Sequence, residues 1–292
     1  MKYINILLFL LIYTASLGQG QTYQNEEGET HLCGPVEIED LEQEPYAEWF
    51  QSNYKSYKMD QSTSSWVEDL KNVDVKIFMG TWCSDSQQWV PAFVRLWDEL
   101  GLDRGQLQVI TVYDTEENRK QSPGGEEMGL GIHRVPTFIF ERDAKELGRI
   151  TEYPYTDLET DVKQIALGNP PESNYKTAAY VYDLVETKSI EEIESELDDH
   201  VSGLSAYSYD SDELINLGYV YLRSGMLDKA KMVFRINSLL FSNEANVYNS
   251  YAEALLKNGE RDLAIESYRK VLELDPEHKH AKKQLAKLIV KK

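Results

Sequence analysis

The chain of 292 residues carries two cysteines, and their settings differ. Cys83 stands in Gly80-Thr-Trp-Cys-Ser-Asp-Ser86, where the apolar run Val75-Lys-Ile-Phe-Met79 hands over to a helical pattern. A cysteine at a helix start faces N–H groups without intrahelical partners and the positive end of the helix dipole, which favours thiolate over thiol. Thiolate is the form that attacks disulfides. Ser86, one turn on, is placed to donate its hydroxyl proton to the sulfur, and Asp85 opposes the thiolate with a like charge. Nucleophilic sulfur chemistry is expected at Cys83, tuned by Ser86, with Trp82 as a stacking surface for a substrate or a rim over the helix start.

Cys33, in His31-Leu-Cys-Gly-Pro35, reads as a loop thiol, or as a distant resolving cysteine if the N-terminal arm reaches the site. Paired with Cys83, it would make an oxidant sensor. His31 and Cys33 are too few ligands for a metal site. Gly124-Gly125 and Gly129-x-Gly131 lack the Lys-Ser/Thr partner of a phosphate loop and read as flexible chain. No cofactor and no metal is expected. His133 is either a lining residue or a plain loop histidine.

Several elements must position this turn. Residues 21–30 are polar and aperiodic and predict little order. Leu41 to Tyr57 carries apolar and aromatic residues at helical spacing, and Ser65 to Leu70 a second short helix. Val75–Met79 is a buried strand, Gln87 to Leu100 a helix burying Val90, Phe93, Val94, Leu96 and Trp97, and Gln106 to Tyr113 a strand. After the loop 114–131 come a hairpin, Thr137–Phe140 with Glu146–Ile150, and a closing helix over 157–167. Gly168-Asn-Pro-Pro-Glu-Ser-Asn174 breaks the pattern and marks the domain boundary. Beyond it the chain is helical and repeats on itself: Gly218, Tyr221, Gly225, Ala230 and Phe234 return about 34 residues later as Ala252, Leu255, Gly259, Ala264 and Tyr268.

The turn resembles the active-site turn of the thioredoxin family, whose pattern is Trp-Cys-x-x-Cys. Here Trp82-Cys83-Ser84-Asp85-Ser86 keeps the first cysteine and replaces the second with serine. Arg134-Val135-Pro136-Thr137, before a strand, resembles the family's second mark. The resemblance implies a cis Pro136 beside Cys83 and a Val135 backbone that holds extended substrate chains. The family's buried acid falls at Ile77, so both the resolving thiol and its proton acceptor are absent. The helical repeat is similar to the tetratricopeptide family, most clearly in 245–278.

The fold expected is therefore an α/β thioredoxin-like domain over 37–168, preceded by a disordered or extended arm at 21–36. A linker at 169–174 leads to an all-α tetratricopeptide region at 175–292. That region holds repeats at about 211–244 and 245–278, a helical pair before them over 175–207, and a capping helix over 280–290. Met1 to Gly20 reads as a cleaved secretory signal: Lys2, a short apolar run from Ile4 to Tyr13, then small residues. No cysteine opens the mature chain, so export without a lipid anchor is expected, to a bacterial periplasm, with no membrane span after cleavage.

A net charge of −20 excludes nucleic acid, which needs clustered Lys and Arg. Protein or peptide clients are the partners expected. The repeat tail would recruit one on its concave face or serve as a docked, stabilising appendage. The positions that in some repeats clamp a C-terminal carboxylate hold Ile215, Tyr219 and Ser250, which do not support that ligand. Two functions follow from different classes. One is a monothiol factor in thiol–disulfide exchange, with mixed disulfides at Cys83 resolved by a small thiol or by the client. The other is a non-enzymatic envelope adaptor on a redox-inactive fold.

Overall fold

A computed structural model describes residues 20–59 and 65–290 of the chain. The expected signal segment, Gly20 apart, lies outside the described residues. Among the described residues, no helix is long and apolar enough to cross a membrane.

The first half is a six-stranded mixed sheet flanked by helices. In chain order its elements are β1 (Gln21–Gln24), β2 (Thr30–Val36), α1 (Ile38–Leu41), α2 (Ala47–Ser56), a 3₁₀ turn at Ser65–Leu70, β3 (Asp74–Met79) and α3 (Ser84–Glu99). A 3₁₀ turn at Arg104–Gln106, β4 (Leu107–Thr111), β5 (Thr137–Arg142), β6 (Lys145–Thr151) and α4 (Leu158–Ala166) complete it. The spatial order is β1-β2-β4-β3-β5-β6. β3 and β4 run parallel, and every other pair is antiparallel.

Four expectations need correction. Residues 21–30, read as poorly ordered, form β1 and the turn into β2. The pairing rests on backbone, Gln21 opposite Cys33 and Gln24 opposite Thr30, which a polar pattern does not reveal. Because β2 continues onto β4, the first domain begins in the arm and not at residue 37. The helix expected over 41–57 opens only at Ala47, as α2: α1 has already closed at Leu41, and Pro45, without an N–H, stands between them. The second element expected in 175–207 is divided, as given below.

β3 buries apolar side chains on both faces, Lys76 excepted, which is partly exposed and pairs with Glu141. Val75, Ile77 and Met79 join Phe50, Phe93, Trp97, Phe138 and Phe140 in the main core under α2, α3 and α4. Phe78 joins Ile110, Val112, Ile132, Val135 and Ile139 on the other face. That second face is covered by the irregular segment 112–136.

The second half contains α5 (Lys176–Thr187), α6 (Ile190–Ser195), α7 (Leu197–Ser205), α8 (Asp212–Arg223), α9 (Leu227–Leu240), α10 (Ala245–Lys257), α11 (Arg261–Leu274) and α12 (Lys279–Val290). Ser189 and Glu192 form a reciprocal cap at the start of α6, and the chain breaks again at Glu196 before α7. The α8–α9 and α10–α11 pairs follow the repeat, and Gly225 and Gly259 close the first helix of each. Gly218 is where α8 meets α9 closely: a Cβ there would lie 2.5 Å from the Phe234 ring.

Candidate functional site

Cys83 is the N-cap of α3, half-exposed, with extended backbone (φ −94°, ψ 122°) and no side-chain cap bond. Its Sγ donates to the Val135 carbonyl at 3.3 Å, and the Val135–Pro136 peptide is cis. Cys83, Trp82, Val135 and Pro136, 52 residues apart between Cys83 and Val135, are thus brought together. The sulfur packs beside Phe78, Val112 and Ile132 without being sealed in.

Three supports hold the turn. From the residue that follows β4, the Val112 carbonyl accepts the Trp82 indole N–H at 2.9 Å, drawing the ring back over Gly80. From the arm, the Leu32 N–H donates to Thr81 Oγ1 at 3.2 Å, and His31 Nδ1 lies 3.2 Å from the same oxygen. From α2 the support runs through a proline. Pro91 has no N–H for the Gln87 carbonyl four residues back, and Asn53 Nδ2 donates to that carbonyl instead, at 3.0 Å. The Gln87 side chain in turn donates to the Thr81 carbonyl at 2.8 Å. A helix flaw thereby ties α2 to the turn.

Ser86 takes a different place from the one expected. It is fully buried, and its Oγ accepts the Gly80 N–H at 3.2 Å; no hydrogen bond joins it to Cys83 among the described residues. The hydroxyl closes the strand-to-helix turn. Ile77 is fully buried in β3, so no carboxylate stands beneath the turn there.

The arm reaches the site, yet Cys33 lies within β2, 2% exposed, and both cysteines are free. For Cys33 to resolve a bond at Cys83, β1 and β2 would have to open. His133 faces inward, not into the site. Its Nδ1 lies 3.0 Å from the Gly131 carbonyl, Nε2 has no partner, and the ring meets Tyr175 edge-on at 5.6 Å. Burial holds its pKa down at about 3, so it is neutral.

Several residues around the turn were not singled out in the sequence. Lys120, buried in a segment read as flexible, donates from Nζ to the His133 carbonyl at 2.6 Å and to Asn216 Oδ1 of α8 at 2.7 Å. Burial pushes its pKa down to about 7, helped by Arg134 and Arg119, with Glu152 opposing. A neutral amine keeps two N–H groups, enough for both acceptors. Glu152 follows β6, half-buried, its N–H donating to the Pro136 carbonyl at 2.7 Å. Burial raises its carboxyl pKa, Arg134 opposes, and Asp85 adds to the rise. No motif marks these groups, because each owes its role to a neighbour distant in the chain.

The helical region docks on the same side. The Tyr182 hydroxyl donates to the Gly129 carbonyl at 2.9 Å, Arg149 lies over the Tyr182 ring, and Arg134 over Tyr175. The segment 169–174 is therefore a connection between docked halves, with Asn174 Nδ2 donating to the Tyr153 carbonyl at 2.8 Å. Beside the turn, a cleft of about 400 Å³ is lined by Trp82, Asp114, Glu116, Arg119 and Arg223 among others. It shares Glu116 and Arg223 with a cleft of about 1060 Å³ against Tyr219, Asn249, Glu253, Lys257 and His280 of the repeat helices. Among the described residues, no three His, Cys, Asp or Glu side chains converge as metal ligands.

No curated protein matches the chain. Among solved structures it is similar to the first tetratricopeptide domain of the human RPAP3 protein, at 18% identity and a TM-score of 0.29, over 40% of this chain and 93% of that one. A second is the first such domain of Spaghetti (RPAP3) bound to the HSP90 peptide SRMEEVD, also at 18% and 0.29, over 40% and 94%. Residues 245–278 match the tetratricopeptide repeat family. Those are the bounds at which the sequence sets its second unit, α10 and α11, and this part of the chain is a tetratricopeptide repeat.

Proposed function

We propose that the protein is an exported thiol–disulfide exchange factor, with a thioredoxin-like first domain that acts through Cys83 on protein clients and a repeat region that binds protein. The observation that carries this is the position of the Cys83 sulfur: half-exposed at the start of α3, 3.3 Å from the Val135 carbonyl of the loop that enters β5. The parallel β3–β4 pair with antiparallel β5 and β6 supports the fold assignment.

The chemistry needs no bound group. The Cys83 thiolate attacks one sulfur of a client disulfide, the Cys83–client S–S bond forms, the client's own S–S bond breaks, and its second sulfur leaves as thiolate. With Ser86 in place of a second thiol, the mixed disulfide waits for another nucleophile. A different client thiolate can attack the client sulfur, forming a new client disulfide and returning Cys83 as thiolate. No electrons are gained or lost overall, and the outcome is isomerisation. A small thiolate attacking the Cys83 sulfur instead would form a disulfide between Cys83 and the small thiol and expel the client sulfur as thiolate, releasing a reduced client; a second small thiolate would then free Cys83 and leave as the small-molecule disulfide.

The test follows reactivation of a protein with scrambled disulfides in a thiol buffer. Wild type is expected to accelerate it and Cys83→Ser to match buffer alone; equal rates for the two would refute exchange at Cys83. Ser86 and Ile77, which leave the site without a resolving thiol or its acid, favour the rival adaptor function, for which partner capture persists unchanged in Cys83→Ser. Export is tested by the mature N-terminus, expected at Gln21 after removal of 1–20 in a bacterial host; retention of Met1 on periplasm-free protein would refute it.

A further inference from the structure

Four successive carbonyls lead into β5 beside the sulfur, and each has a donor of its own. The Pro136 carbonyl accepts the Glu152 N–H at 2.7 Å, and the Arg134 carbonyl the Thr137 hydroxyl at 2.7 Å. The Val135 carbonyl accepts the Cys83 S–H at 3.3 Å, a weak donor that is lost when the thiol ionises, which opens this carbonyl to the N–H of an incoming chain. These three donors come from the residue after β6, from β5 and from the start of α3, all within the first domain. The His133 carbonyl differs. It accepts from Lys120 Nζ at 2.6 Å, and the same amine donates to Asn216 Oδ1 of α8 at 2.7 Å, 96 residues away in the chain.

Lys120 is placed there against its own preferences. Its φ of 63° is a left-handed backbone that a residue with a Cβ disfavours, and it is 8% exposed, so an amine is buried where an apolar group would pack more easily. Turn bonds fix its backbone: the Lys120 N–H donates to the Tyr113 carbonyl at 2.8 Å, and the Tyr113 N–H to the Gln121 carbonyl at 2.9 Å. The far acceptor is fixed too, since Asn216 Nδ2 donates to the Asp212 carbonyl one turn back at 2.8 Å, which turns Oδ1 toward the amine. One side chain thus joins α8 to the segment that receives Cys83. The helical region holds the neighbouring stretch as well, through Tyr182 on the Gly129 carbonyl and Tyr175 under Arg134.

We infer that Lys120 and Asn216 are positioning residues for the client strand: α8, acting through the Lys120 amine, sets where residues 133–136 stand beside Cys83, so that the repeat region completes the surface on which an extended chain is received. That Cys83 exchanges disulfides with this chain rests on the function proposed above; the placing of the segment does not. The test separates the sulfur from the strand. Full-length wild type, Lys120→Met, Asn216→Ala and Asn216→Asp are each reacted with two disulfides. The small aromatic disulfide dithiobis-nitrobenzoate needs the sulfur alone, whereas ribonuclease with scrambled disulfides must also lay a chain against 133–136.

Rates with the small disulfide, mapped to Cys83, are expected to agree within about twofold across the four proteins. For ribonuclease, KM should rise about tenfold in Lys120→Met and about threefold in Asn216→Ala with kcat kept, while Asn216→Asp, which keeps an acceptor for the amine, should match wild type. Asn216 is only half-buried on α8, so Asn216→Ala retains the fold whatever Lys120→Met does. An unchanged KM in both Lys120→Met and Asn216→Ala, or an equal fall in rate with both disulfides, would overturn the inference. Should wild type leave ribonuclease at the buffer rate, exchange is refuted, and anisotropy of labelled, reduced and alkylated ribonuclease titrated with Cys83→Ser decides the placing of the segment. Binding about tenfold weaker once Lys120→Met is added would uphold it; equal binding, or none, would overturn it.

Discussion

The two faces of the sheet are covered by different chemistry. On one, α2, α3 and α4 bury a continuous apolar core in which Phe93 stacks on Trp97 and meets Phe138 and Phe140. On the other, the segment 112–136 covers a small apolar patch with chain that has neither helix nor strand, and it buries Lys120, Ser122, Glu127 and His133. Apolar packing is non-directional and needs no partner from elsewhere. Buried polar groups must each find an acceptor or donor, or cost roughly 1–3 kcal/mol. Here the acceptors are the His133 carbonyl behind Pro136 and Asn216 of α8, and Glu127 accepts from both the N–H and the hydroxyl of Ser122. The second covering thus makes the loop beside Cys83 depend on the repeat region, and the first makes the scaffold independent of it.

Variants can break that contrast. The largest effect is expected on the apolar side: Phe93→Ala should lower unfolding free energy by about 3–5 kcal/mol in denaturant titrations. A loss under 1 kcal/mol would mean the face is not close-packed. On the polar side the signature is pH. The folded pKa of Lys120, about 7, lies below its ordinary 10.5, so between those values the unfolded chain binds the extra proton. The cost of a buried ammonium is then fully present below pH 7 and relieved as pH rises. Stability should climb by about 2 kcal/mol between pH 7 and 9, and Lys120→Met should flatten that climb. An unchanged slope in the variant would place the titration elsewhere. The smallest effect concerns docking. Tyr182→Phe removes the bond to the Gly129 carbonyl at a cost of about 1 kcal/mol. It should raise amide exchange in 129–135 without altering the core; exchange equally raised in β3 would contradict separate coverings.

The same contrast explains what was legible in the sequence. Strand β3, helix α3 and the β5–β6 hairpin announce themselves because their apolar periodicity is local and complete. Cys83 falls at the strand-to-helix handover for the same reason, and the repeat shows because α10 and α11 restate α8 and α9 at fixed spacing. The arm hides because β1 is held by backbone pairing with polar side chains outside. Ser86 misled because an exposed partner for sulfur and a buried cap for the Gly80 N–H use the same residue type. Lys120, Arg119 and Arg134 sit in or beside a Gly-rich segment whose order comes from α5 and α8, more than forty residues away in the chain, as the 96-residue separation of Lys120 and Asn216 illustrates. Nothing local encodes that.

Sulfur exchange at Cys83 is most directly tested by mapping the covalent product. Native protein is mixed with a protein disulfide substrate, quenched in acid, digested, and the cysteine-bearing peptides are identified by mass. A client peptide joined to Cys83, with Cys33 unmodified in β2, is the expected product. Adducts on Cys33 alone, or none on either cysteine while the substrate is still reduced by a small thiol, would contradict the account.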